Sequence, residues 1–199
     1  MPKKVDHDLR RREIIAKVWR LIADEGIDAV TTRRIAEVTG FSNGLLRYYF
    51  PGKDSVITEA YRFVVEATDI RAALTSGERG LAGVRTLACE ILPLDDVRRA
   101  EARVALAFWQ RALTRDDEAA LFAASFGSWR DYFSARLAEA ASDGEIAAGT
   151  DIPAVTDELQ NLLMGAQITA AFNTPEGDAA RLTALLDRFL ARFSPSVQG

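Results

Sequence analysis

At 199 residues and 48% hydrophobic composition, the chain can bury a substantial core, as one large domain or as a small domain joined to a larger one. A net charge of −4 excludes a protein that coats nucleic acid over its whole surface, and one cysteine with one histidine excludes an internal disulfide and a zinc constellation. Charge interrupts every apolar run and the opening "MPKKVDHDLRRRE" has no apolar stretch, so neither a bilayer span nor a signal peptide is expected and the chain is expected in the cytoplasm.

Apolar residues recur at helical spacing nearly throughout and no stretch alternates convincingly with period two, which predicts an all-α protein. His7 is expected in an exposed tail. Ile15, Val18, Trp19 and Ile22 make one face of a first helix that ends at Gly26. Thr31 is placed to cap a short second helix running to Thr39 and stopped by Gly40; Ser42 caps a third, which "FPGK" ends. A longer fourth helix is expected from about Asp54 to Leu74, with Val56, Ala60, Phe63, Val64, Ala67 and Leu74 on its inner side and "TSGERG" as its breaker. Amphipathic segments follow at roughly 81–92, 95–113, 116–142, 154–173 and 178–193, separated by stretches rich in Pro, Gly and Asp. Cys89, on the first of these, is expected as a small core residue. No repeat period appears, so a solenoid is not expected. The division predicted is a three-helix head over 1–52 and a helical body over 53–199, linked by the helix at about 53–75.

From Thr32, the fifth residue is Ala36, the ninth Gly40 and the fifteenth Leu46, which is helix-turn-helix spacing. The small Ala36 lets two helices approach, Gly40 takes the left-handed turn, and Leu46 with Ile35 fills the angle between them. Charge agrees with this placement: residues 1–50 carry ten Lys or Arg against seven Asp or Glu, a balance of +3, and the remainder fifteen against twenty-two, a balance of −7. A two-turn recognition helix needs phosphate ligands on its flanks as well as base contacts. Tyr48 and Tyr49 suit that role, with rings on the head and hydroxyls outward; Phe50 is expected in the core, and Lys53 adds a charged contact.

The stretch "VTTRRIAEVTGFSNGLLRYYFPGKDSV" resembles the N-terminal DNA-binding domain of the tetracycline-repressor (TetR) family, over residues 10–60 or so. The resemblance implies that Thr31, Tyr48, Tyr49 and Lys53 touch phosphates and that Arg33, Asn43 and Leu45 lie near base edges of an operator in double-stranded DNA. Arg47 stands where the family often has tyrosine; it can read guanine or hold a phosphate. The family further implies a homodimer, a palindromic operator and a small-molecule effector. Here "VALAFWQRAL" and "LTALLDRFL" are similar to the choline-responsive BetI-type subgroup, which does not name the ligand.

In the body, Phe108, Trp109, Phe122, Phe126, Trp129, Tyr132 and Phe133 concentrate aromatic rings. They can cage an organic cation, with Glu90 as an acidic partner and Met164 and Gln167 as further candidate effector contacts; equally, Phe122, Phe126, Trp129 and Phe133 follow the spacing of ordinary core. Leu159, Leu163, Leu182, Leu186, Phe189 and Phe193 offer more apolar surface than a terminal hairpin needs, and paired across a two-fold axis they would form a four-helix dimer interface. A helical enzyme is disfavoured: the body has no histidine or Gly-rich phosphate loop, its Asp95–Asp96 and Asp116–Asp117 pairs fit helix caps, and no cofactor or metal is expected. The expected function is a ligand-responsive DNA-binding repressor, with a constitutive or protein-controlled DNA binder as the alternative.

Overall fold

The computed structural model describes residues 7–74 and 77–193. Thr75 and Ser76 of the "TSGERG" breaker, and the first six residues of the opening segment, lie outside them. Among the described residues the secondary structure is helical: α1 (His7–Glu25), α2 (Thr32–Thr39), α3 (Asn43–Tyr49), α4 (Lys53–Leu74), α5 (Gly80–Ile91), α6 (Asp96–Ala112), α7 (Asp116–Ser142), α8 (Ile152–Ala171) and α9 (Ala179–Ala191), with single 3-10 turns at Ile27–Ala29 and Pro175–Gly177. His7 is therefore the first residue of α1, and the tail expectation is corrected.

The boundaries follow local chemistry. Gly26 leaves α1 with φ of 83°, a conformation that costs other residues Cβ strain. Asp151 caps α8 by accepting from the Ala154 N–H at 3.1 Å, and Asp178 caps α9 by accepting from Ala180 at 2.9 Å. Pro153 follows in the first turn of α8, where its missing N–H costs nothing.

The chain divides into two compact units, one of residues up to Ala67 with Arg103–Ala119, the other of Thr68–Ala102 with the chain from Ala120 onward. In the first, Ile14, Val18, Ile22, Val30, Ile35, Leu46 and Phe50 bury the head's core, continued by Ile57, Ala60 and Tyr61 of α4 and Val104 and Phe108 of α6. Tyr61 and Phe108 stack nearly parallel, centroids 3.9 Å apart. Beside them Arg111 pairs with Glu118 and, at 2.6 Å, with Asp54, which Arg115 also holds at 2.6 Å. Arg115 first, then Arg111, keeps the Asp54 carboxyl below the usual carboxylate range.

The second unit buries Val84, Leu87, Leu92, Phe133, Leu137, Val155, Leu159, Leu163, Leu182, Leu186 and Phe189 in one cluster, against which Cys89 and Trp129 pack half-buried. Burial raises the Cys89 thiol above its ordinary range. Leu74, expected on the inner side of α4, is 82% exposed, and Ile70 one turn before it is exposed as well. The Pro175–Gly177 turn lies so tightly on the end of α8 that a Cβ on Gly177 would stand 2.5 Å from both N and Cα of Ala170.

Candidate nucleic-acid interface and effector site

The helix-turn-helix is assembled by the residues whose spacing predicts it. Thr31 Oγ1 accepts from the Arg34 N–H at 3.1 Å to start α2, and Ser42 Oγ accepts from Leu45 at 3.3 Å to start α3. Between them Gly40 sits at φ 77°, its N–H donating to Ala36 at 2.8 Å. Lys17 of α1 donates to the Thr39 carbonyl at 3.3 Å, satisfying one of the acceptors left open where α2 ends. Ile35 and Leu46 are buried in the enclosed angle.

This scaffold leaves Arg33, Asn43, Arg47, Tyr48 and Lys53 exposed and Leu45 half-buried. Arg33 pairs with Glu37 one turn on, an exposed pair of small worth that DNA phosphates can outcompete. Its neighbour Arg34 is more committed: it binds Glu25 at 2.5 Å and Glu37 at 3.1 Å, and those hydrogen bonds raise its pKa. Lys53 pairs with the exposed Asp28, at 3.6 Å. Arg47 and Lys53 line one cleft of about 380 Å3 together with Thr32. Thr31 spends an oxygen lone pair on its cap and keeps its hydroxyl hydrogen for an acceptor.

The aromatics divide by burial. Tyr48 is 68% exposed, Tyr49 only 6% and Phe50 4%. Tyr49 is thus part of the head's core with little surface for a phosphate, whereas Tyr48 stands outside and meets Tyr49 edge-on, centroids 5.3 Å apart. The His7 ring lies 5.6 Å from that of Tyr48 and 5.7 Å from that of Tyr49. Sequence reasoning misses this residue because the contact joins positions about forty residues apart and no local pattern announces it.

The candidate effector residues fall in both units. Phe108, fully buried, and Trp109, half-buried, belong to the first. In the second, Phe122 and Phe126 stack at 5.5 Å one turn apart, and the Trp129 indole donates to Asp69 at 3.3 Å. Glu90 accepts from Arg71 at 3.0 Å and lies 3.5 Å from Arg98. Arg71 also binds both oxygens of the buried Glu101, at 2.9 and 2.7 Å. Burial alone would lower the Arg71 pKa; Glu101 and then Glu90 outweigh it and raise it. Glu90 is therefore already matched by cations of this chain. Gln167 donates to the Ile91 carbonyl at 2.6 Å, closing the last turn of α5, and Met164 is half-buried. Arg71 and Glu101 were not anticipated; their pairing joins residues thirty positions apart, and no local pattern in the sequence announces it.

Leu159, Leu163, Leu182, Leu186 and Phe189, expected at a dimer interface, are buried in the second unit's own core, and Phe193 is half-buried against Phe189. The periodicity reports a buried face without reporting its partner. What α8 and α9 leave exposed is Ile168, Leu185 and, just past α8, Phe172, with a groove of about 830 Å3 lined by Leu162, Leu185, Glu158, Arg188 and Arg192. Among the described residues there is no cluster of three or more His, Cys, Asp or Glu that could hold a metal, and no helix is long and apolar enough to cross a membrane.

Known proteins place these features. Residues 14–60 match the family of bacterial regulatory proteins, tetR family, and residues 81–195 match the BetI-type transcriptional repressor, C-terminal family. The HTH-type transcriptional regulator PksA of Bacillus subtilis (strain 168) is 39% identical over 66 residues, 33% of this chain and 32% of that protein. BetI 1 of Chromohalobacter salexigens is 31% identical over 124 residues, 59% of each. The chain thus spans about a third to three fifths of the length of these curated relatives. Among solved structures, a transcriptional regulator from Saccharomonospora viridis in complex with choline superposes with a TM-score of 0.86 at 22% identity, over 92% of this chain and 96% of that one. A TetR transcription regulator from Haloarcula marismortui gives 0.83 at 18%, over 94% and 100%. At these identities the likeness shows the fold, and both matched families describe regulators rather than enzymes. A helix-turn-helix head followed by a C-terminal region matched over more than half of the chain makes this protein a member of the tetR family of bacterial regulators, with a BetI-type C-terminal region.

Proposed function

We propose that the protein is a cytoplasmic, homodimeric repressor that binds a palindromic operator through residues 1–52 and is released by a small molecule bound within residues 53–199. The observation that carries this reading is the capped α2–Gly40–α3 unit with Arg33, Asn43, Arg47, Tyr48 and Lys53 exposed around it. Arg33, Asn43 and Leu45 face base edges; Thr31, Tyr48, Lys53 and Arg47 hold phosphates, Arg47 because it shares its cleft with Lys53. Tyr49 serves by positioning Tyr48. One two-turn helix makes few contacts, so two copies one helical turn of DNA or a multiple apart are required, and a two-fold dimer demands a palindrome. The exposed face of α8 and α9, with Leu162 and Leu185 flanked by charge, is the surface for that pairing. Selection of duplexes from a random pool, followed by a gel-shift titration, tests the reading; recovery of no preferred sequence overturns it.

For the effector, a small organic cation is the first class to test, since the Saccharomonospora viridis regulator is a choline complex. Glu90, Phe122, Phe126, Trp129, Met164 and Gln167 are the proposed contacts in the second unit. A cation reaching Glu90 must displace Arg71 or Arg98. Helix α4 is continuous from Lys53 to Leu74 and offers a covalent route by which the ligand moves the recognition helices. Coupling of about 1–3 kcal/mol lowers operator affinity roughly 5- to 150-fold, and DNA must weaken the ligand equally. Equal ligand affinity with and without operator supports instead a constitutive binder, a reading favoured by the packing of Phe108 and Phe133 as core.

A further inference from the structure

The chain has one histidine, and the fold sets it against the aromatic end of the recognition helix. His7 and Tyr48 are exposed, Tyr49 is buried beneath them, and the imidazole is tilted by 49° and 48° to the two rings it meets. The cluster is an outward-facing rim on a fixed aromatic floor. On α1, Asp8 follows His7; Arg10 pairs with Glu13 at 2.6 Å and lies 5.4 Å from the Phe41 ring; Arg11 pairs with Glu59 of α4 at 3.2 Å and lies 5.2 Å from the Phe50 ring. On α3, Arg47 precedes Tyr48 and is exposed. Glu13 and Glu59 are thus each matched by an arginine.

We propose that His7 is a phosphate-binding residue of the DNA interface and that its imidazole takes up one proton from solvent as the duplex docks. The inference rests on the DNA-binding reading above. A neutral imidazole offers one N–H donor, its protonated form two and a positive charge, and imidazole ordinarily titrates near pH 6.5, so an approaching polyanion is enough to tip it. The ring contact sets the imidazole beside Tyr48, a residue already assigned to the phosphate backbone, and α1 then contributes to a surface otherwise made by α2, α3 and the start of α4.

Linkage fixes the sign. A proton gained on binding makes affinity rise as pH falls; the gain is complete below the range in which the free ring titrates and is lost as pH rises through the range in which the bound ring does. A separation of one unit between those ranges is about tenfold in affinity per site.

The test uses the full chain and a duplex selected from a random pool by the wild-type protein, at fixed ionic strength from about pH 5.5 to about pH 8.5. Wild type is expected to bind about a hundredfold more tightly at the acid end, about tenfold for each of the two subunits on the operator. His7→Gln is expected to be flat at the weaker level and His7→Arg flat at the tighter one. Calorimetry in two buffers of different ionisation enthalpy should show proton uptake with wild type and none with His7→Gln. Parallel pH profiles for wild type and His7→Gln, or an equal loss in both variants at every pH, would show a packing role and overturn the inference while leaving DNA binding in place. Failure to select any duplex overturns the DNA-binding reading and this inference with it.

Discussion

Phe108 of α6 lies flat on Tyr61 of α4, ring centroids 3.9 Å apart and planes within 4° of parallel, both side chains buried. Removing a fully buried ring loses its transfer free energy and leaves a cavity, so Phe108→Ala is expected to destabilise the protein by about 3–5 kcal/mol. Urea unfolding measures this. The half-buried Phe126 of α7 is the contrast: Phe126→Ala should cost clearly less, and its effect should appear in ligand affinity.

Arg111 is the nearest cation to Glu118, whose side chain is only 3% exposed. Arg111→Leu leaves that charge with only the Arg115 guanidinium at 3.7 Å and the Thr58 hydroxyl at 3.3 Å, and is expected to cost about 3 kcal/mol, since breaking one side of a buried pair leaves the other poorly compensated. The double variant Arg111→Leu, Glu118→Leu should recover most of the loss. A double variant as unstable as the single one would place the cost in lost packing of the arginine stem instead.

Acid should act through Asp54. Arg115 and then Arg111 depress its carboxyl in the folded chain, so its contribution is present above the unfolded carboxylate range, near pH 3.9, and is lost as pH falls through the lower folded value. Wild type should therefore lose stability below about pH 4 more steeply than Asp54→Asn, when both are followed by thermal unfolding across that range.

Lys53→Ala should weaken binding to every duplex and reduce the salt slope by about one for each subunit, because its proposed contact is with phosphate. Arg33→Ala should cost about 1–3 kcal/mol and relax preference at particular bases. Arg47→Ala separates the two roles left open by its chemistry: a uniform loss across duplexes fits its place beside Lys53, a position-specific loss makes it a base reader.

Leu185→Asp combined with Leu162→Asp places charge on the outer groove of α8 and α9 and should yield monomers that lose specific operator binding, as read by sedimentation and gel shift. Folding should survive, since Leu185 is exposed and Leu162 half-buried. The same change at Leu186, fully buried, should unfold the unit instead.

The head was legible because its determinants are local. Thr31, Gly40 and Ser42 act on backbone groups within four residues of themselves, so a single sequence carries the whole instruction, and the structure realises each of them. The helices of the body were legible for the same reason. What they pack against was not: the stripe Leu159, Leu163 and Leu182, Leu186 has the period of a buried face whether a neighbouring helix or a second chain covers it. Leu74 matched a stripe that the end of α4 does not bury. Glu90 and Arg71 are nineteen residues apart, and a salt bridge across helices has no periodicity to betray it.

Gly177 makes a contact of another kind. Most of the packing described above is between side chains, which yield by changing rotamer; here one main chain rests directly on another, and a methyl group would already overlap Ala170. A peptide plane has no rotamer to change. The elbow joining α8 to α9 is therefore stiff in the engineering sense, and a displacement imposed on either helix near this joint is passed to the other without being absorbed. Drift in sequence can proceed on the exposed neighbour Glu176, but Gly177 admits only hydrogen where other residues carry a side chain.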